Sequence, residues 1–141
     1  MIVRPWVTFD SDLPYDGIED ETGFIQWPGK AVAEATAEIL GRLGCTRINI
    51  DTIGEAGYEV AFTAGRRNLA ARVTMIDNYV VCIHQYSIYD SLFNKIRPEF
   101  ISILRGLNAE LNSDGRFHQI RWFTGDEVFS GVEGALSPVE D

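Results

Sequence analysis

The chain predicts an α+β fold: a two-layer sandwich of a mainly antiparallel sheet with two helices on one face. Three observations carry that prediction. Four apolar-alternating segments follow one another with only hairpin-length breaks. Two segments with apolar residues at three- and four-residue spacing flank that block. Further strand-like segments open the chain and follow the second helix, giving the order β-α-β-β-β-β-α-β.

Ile2–Phe9 is rich in β-branched and aromatic residues, and Pro5 restricts it to an edge or a bulge. From Asp10 to Pro28 the pattern disappears. Residues 10–28 form a long loop of acids mixed with Leu13, Tyr15, Ile18, Phe24, Ile25 and Trp27, punctuated by Pro14, Gly17 and Gly23. Loops of that length in a compact domain are commonly functional. A helix begins at Pro28 or Gly29 and ends at Leu43, with Gly44 as its stop. Glu34 and Glu38 lie one turn apart on it and read as a solvated face rather than an acid/base couple.

The meander comprises Thr46–Ile53, Tyr58–Ala64, Leu69–Ile76 and Tyr79–Tyr86. Its turns fall at Gly54-Glu55-Ala56-Gly57, around Gly65-Arg66-Arg67-Asn68, and at Asp77-Asn78. Ile48, Ile50, Tyr58, Val60, Phe62, Leu69, Val73, Met75, Val81 and Ile83 form an apolar face. Asn49, Asp51, Glu59, Thr63, Arg72, Thr74, His84 and Tyr86 form a polar one, open to water or a partner. After a lead-in turn at Ser91–Ile96, the second helix spans Arg97–Leu111. Pro98 is tolerated in its first turn, and Phe93, Ile96, Phe100, Ile103, Leu104, Leu107 and Leu111 share one stripe. Phe117–Thr124 is the last strand, and residues 125–141 are expected to be a loose acidic tail.

A chain of 141 residues with 45% apolar and 23% charged residues is sized and composed for one globular domain, residues 1–141. The net charge of −9 is unevenly placed. Residues 1–22 hold six acids against Arg4 alone, and residues 126–141 hold five acids and no base. The body between is nearly neutral. Such a field disfavours nucleic acid and anionic lipid and favours a basic protein surface; the plainer reading is that acidic ends aid solubility. Cys45 and Cys82 form no paired-cysteine motif, and no apolar run approaches a membrane span. With no recognisable signal segment, the expected compartment is the cytoplasm.

No phosphate-binding loop, nucleophile elbow or zinc-protease motif occurs, so no catalytic residue and no cofactor are predicted. Cys45, Cys82, His84 and His118 have the ligand types for zinc, but they lack the close pairs such sites use, and no metal is expected. The loop acids lack the register of a calcium loop. What remains is protein binding. Asp10, Asp12, Tyr15, Asp16, Glu19, Asp20 and Glu21 combine steering charge with an aromatic anchor. The alternative surface is the open sheet face, with Glu59, Arg72, His84 and Tyr86 as contacts. A further alternative is a small-ligand-binding protein or enzyme with its site between the 10–28 loop and the sheet.

Three segments also carry a resemblance: Trp6–Pro14 (WVTFDSDLP), the PGKAVAE helix start at Pro28, and Ile120–Glu127 (IRWFTGDE). Together they resemble a family of small acidic bacterial proteins of uncharacterised activity. In size, charge and fold class the chain is similar to immunity proteins of bacterial toxin systems. That resemblance implies a non-enzymatic inhibitor that neutralises a basic, toxin-like protein by direct binding. It supplies no site residues.

Overall fold

The computed structural model describes residues 1–141 except 55, 56, 88, 89, 91 and 94. Part of the first meander turn (Glu55, Ala56) and part of the second helix's lead-in (Ser91, Asn94) thus lie outside the described residues. The described elements are β1 (Ile2–Val3), β2 (Trp6–Ser11), β3 (Ile18–Asp20), β4 (Gly23–Gln26), α1 (Lys30–Arg42), β5 (Thr46–Ile53), β6 (Gly57–Ala64), β7 (Arg67–Met75), β8 (Tyr79–Gln85), α2 (Pro98–Ser113), β9 (Phe117–Phe123) and β10 (Val139–Glu140). The architecture is α+β, with a six-stranded antiparallel sheet in the order β5-β6-β7-β8-β2-β9. The meander forms in sequence. The opening strand β2 then inserts between β8 and β9, pairing Val7 with both Val81 and Trp122.

Alternation decides which face is covered. Val7, Phe9, Val60, Phe62, Leu69, Val73, Val81 and Ile83 are buried and share one core with Val32, Ile39 and Leu40 of α1. Phe100, Ile103, Leu104, Leu107 and Leu111 of α2 complete that core, whereas Phe93 and Ile96, expected on the same stripe, precede the helix and are exposed. The helices approach closely because Gly106 carries no side chain. A Cβ there would lie 2.9 Å from a Leu43 methyl group. Trp122 is fully buried, and its indole N–H donates to the Asn108 side-chain oxygen of α2 at 2.8 Å.

Arg47 in β5 and Gln119 in β9 take left-handed backbone angles (φ 52° and 54°), beside register shifts in each of the two outermost strands. At the start of β6, Gly57 has φ 151°, and a side chain there would collide with the Val73 carbonyl.

Two stretches differ from expectation. Residues 10–28 are not patternless: β2 runs on to Ser11, and β3 and β4 form a separate antiparallel hairpin. Residues 125–141 are not loose either. Phe129 meets Trp6 edge-on at 6.1 Å, Ala135 and Trp122 exchange backbone hydrogen bonds, and β10 pairs with β1. Pro138 and Val139 are buried. The tail is held because apolar residues spaced along it reach the sheet, an ordering that its acidity conceals. By lying on Trp6 and Phe123 it also covers the β2–β9 side of the polar sheet face, and elsewhere on that face Ala70 and Val80 are buried. The face is therefore open only in part.

Candidate functional site

Glu19, Asp20 and Gly23 of the hairpin are poor strand formers, and the ribbon is fastened to the body at two feet. Asp16 holds the first. Gly29 enters α1 with φ 106° and offers no side chain to cap it, which leaves the first helical N–H groups without acceptors. The Gly29 and Ala31 N–H groups instead donate to the two Asp16 carboxylate oxygens at 2.8 and 2.7 Å. The Gln26 side-chain amide donates to the Asp16 carbonyl at 2.7 Å, tying β4 back to the same residue. At the second foot, Phe24 and Trp27 bring their rings to 4.5 Å, and the Tyr58 hydroxyl donates to the Trp27 carbonyl at 2.8 Å. Burial, then the Asp16 charge, push the Tyr58 phenol above its ordinary value, so it stays a donor.

Asp20 closes the turn, accepting from both the Thr22 N–H and the Thr22 hydroxyl. Those bonds, the hydroxyl's first, hold its carboxyl below the usual range.

Between these anchors the ribbon presents apolar and acidic groups together. Tyr15 is 57% exposed, Ile18 49% and Ile25 67%, among exposed Glu19, Asp20 and Glu21. A shallow hollow of about 250 Å³ lies at its foot, lined by Ile25, Gln26, Trp27, Lys30, Thr52 and Tyr58.

The sequence-predicted loop residues thus divide. Tyr15, Glu19, Asp20 and Glu21 gather on or beside the hairpin. Asp16 is half-buried with both oxygens engaged, so it supports the surface rather than offering a contact. Asp10 and Asp12 sit elsewhere: Asp10 faces His118 across β2 and β9, and Asp12 approaches His118 Nε2 at 2.9 Å. Ile18 and Ile25 are exposed on the same ribbon; the sequence places both in the loop, but two isolated isoleucines in an acidic stretch leave no periodicity to mark them as contacts.

The alternative sheet-face residues are brought together as well. Arg72 Nε donates to Glu59 Oε2 at 3.1 Å, the Tyr86 hydroxyl donates to Glu59 Oε1, and the His84 and Tyr86 rings meet at 5.1 Å. Burial, then the Arg72 charge, lower the His84 pKa, so its ring is neutral at pH 7. Arg72, Glu59 and Tyr86 satisfy one another, while His84 Nε2 is buried without a hydrogen-bond partner. The zinc-type residues are dispersed. Cys82 faces Trp6 at one end of β2 while His118 faces Asp10 at the other, and Cys45 is buried before β5, three strands away from β8. Among the described residues no His, Cys, Asp or Glu cluster is arranged to hold a metal ion, and no helix is long and apolar enough to cross a membrane.

A buried ion pair was also missed. Asp90 receives Arg97 Nε at 2.8 Å and Nη2 at 2.6 Å, with Arg67 Nη1 at 3.5 Å on its other oxygen. Compared with protein-family models, curated proteins and solved structures, the chain matches none.

Proposed function

We propose that this protein is a binding module of the immunity or inhibitor type, engaging a basic protein partner through the β3–β4 ribbon. The observation that carries the reading is the exposed ribbon itself. Tyr15, Ile18 and Ile25 supply apolar anchors among Glu19, Asp20 and Glu21, on a scaffold fixed at both feet before any partner arrives. Pre-ordering of this kind reduces the entropy lost on association. Carboxylates around apolar anchors steer a basic partner and give the encounter its salt dependence. The toxin-like character of the partner rests on the resemblance of the chain to immunity proteins. The sheet-face network is the weaker surface because its charges already neutralise one another.

The test is affinity capture of the tagged protein from its native lysate, eluted across a salt gradient. The expected result is a basic protein in one-to-one ratio, released as salt rises. Combining Ile18→Ser with Ile25→Ser, or Glu19→Lys with Glu21→Lys, is expected to weaken that capture by roughly 30-fold or more. Arg72→Gln is expected to leave it intact. Hairpin variants that retain the partner as well as the parent protein would overturn the reading.

A further inference from the structure

A depression beside the β6–β7 turn lies apart from the ribbon and shares Tyr86 with the edge of the sheet face. Its volume is about 210 Å³, and Arg66, Arg67, Asn68, Gln85, Tyr86 and Asp90 are among the residues lining it. That is below the roughly 300–1,000 Å³ that suits drug-sized ligands, yet far more than a single water occupies.

Three features make it a constructed site. Asp90 is only 2% exposed, and Arg97 saturates its Oδ1. Its Oδ2 is buried with no hydrogen-bond partner, the Arg67 guanidinium standing 3.5 Å off. Gln85 repeats the pattern: its amide nitrogen donates to the Lys95 carbonyl at 2.9 Å, while its Oε1 is buried without a donor. Buried acceptors in that condition are uncommon and ordinarily meet a donor from water or a ligand. Charge is the third feature. Arg67 and Arg97 pair with the Asp90 carboxylate and Arg66 also lines the depression, a local excess of positive charge on a chain whose net charge is −9. Arg66 is exposed and sits in the turn.

These groups specify complementary chemistry. Guanidinium groups only donate, and their planar fork matches a carboxylate. Asp90 Oδ2 and Gln85 Oε1 only accept, so they require N–H or O–H groups. The Arg97 hydrogen bond holds the Asp90 carboxyl below its usual range, so it is ionised at neutral pH and favours a cationic donor. We infer that the depression binds a small free amino acid, with its ammonium group on Asp90 Oδ2 and Gln85 Oε1 and its carboxylate on Arg66 and Arg67. The surplus positive charge favours an acidic side chain.

The experiment titrates L-aspartate, acetate and methylammonium separately into isotopically labelled protein and follows the backbone amide shifts. L-Aspartate is expected to give saturable shifts at Arg66–Leu69 and Gln85–Ser87. Acetate lacks the donors and methylammonium lacks the carboxylate, so each is expected to bind at least about tenfold more weakly. Arg66→Ala, in an exposed turn, is expected to weaken L-aspartate about tenfold or more with the melting temperature unchanged. Asp90→Asn disturbs a buried pair and can unfold the protein, so Gln85→Leu serves as the second probe and is expected to weaken binding while the Asp90–Arg97 pair persists. The inference falls if millimolar L-aspartate gives no saturable shift, or if acetate binds equally well. It falls also if both Arg66→Ala and Gln85→Leu bind like the parent.

Discussion

Replacing Asp16 with alanine tests whether one loop carboxylate organises both the ribbon and the helix beside it. Two backbone donors, Gly29 and Ala31 N–H, lose their acceptors at once. Loss of a helix-capping acceptor costs about 0.5–2 kcal/mol. Removing a negative charge from a helix N-terminus adds about 0.3–1 kcal/mol. Together the expected loss is about 0.8–3 kcal/mol, equivalent to roughly 3–10 °C in melting temperature for a chain of this size. Asp16→Asn keeps one acceptor oxygen without the charge and is expected to lose about half as much. Denaturant unfolding followed by circular dichroism gives the stability change. Amide hydrogen exchange at Gly29, Ala31 and the β3–β4 ribbon locates it. An Asp16→Ala protein with unchanged unfolding midpoint, and unaltered exchange at Gly29 and Ala31, would refute the reasoning.

Two other perturbations have definite outcomes. Gly57→Ala places a Cβ against the Val73 carbonyl at a positive backbone angle, so a destabilisation of about 2–4 kcal/mol is expected in thermal or denaturant unfolding; a change below about 1 kcal/mol would mean the β6–β7 pairing gives way easily. Burial pushes the Cys82 thiol up to about 11 from a reference of 9.0, a rise that lowers its thiolate fraction at neutral pH roughly 100-fold. Iodoacetamide labelling at Cys82, read by peptide mass spectrometry, is expected to be slower than for an unfolded control by about that factor, and equal rates would contradict the burial of this thiol.

The main sheet was legible because its signals are local. Asp77-Asn78 turns β7 into β8, and the alternation of Tyr58, Val60 and Phe62 marks the buried face within five residues. The placement of β2 between β8 and β9 was not legible, since strand order is decided by long-range pairing that leaves no local trace. The hairpin escaped notice for a different reason. Gly23, Glu19 and Asp20 are poor strand formers, and they are held extended by contacts from Asp16 and Trp27. The acids and Tyr15 of the candidate surface could be read from charge and aromatic content, but the role of Asp16 could not. Its bonds reach 13 and 15 residues along the chain. The Asp90–Arg97 pair and the order of the tail are likewise products of tertiary contact, at Arg67 and at Trp6 respectively.

The left-handed residues Arg47 and Gln119 bear on how this protein behaves in a crowd of its own copies. A straight, regular margin is a template on which another chain can lay its backbone and extend the sheet indefinitely. Here each margin is dislocated once, so a neighbouring strand that matches the hydrogen-bond spacing before the bulge falls out of step after it. Ala135, bonded to Trp122, also occupies part of the β9 side. The sheet is thus finite by construction. Growth by edge addition, the route to fibrous aggregates, is interrupted on both sides without a proline in either strand.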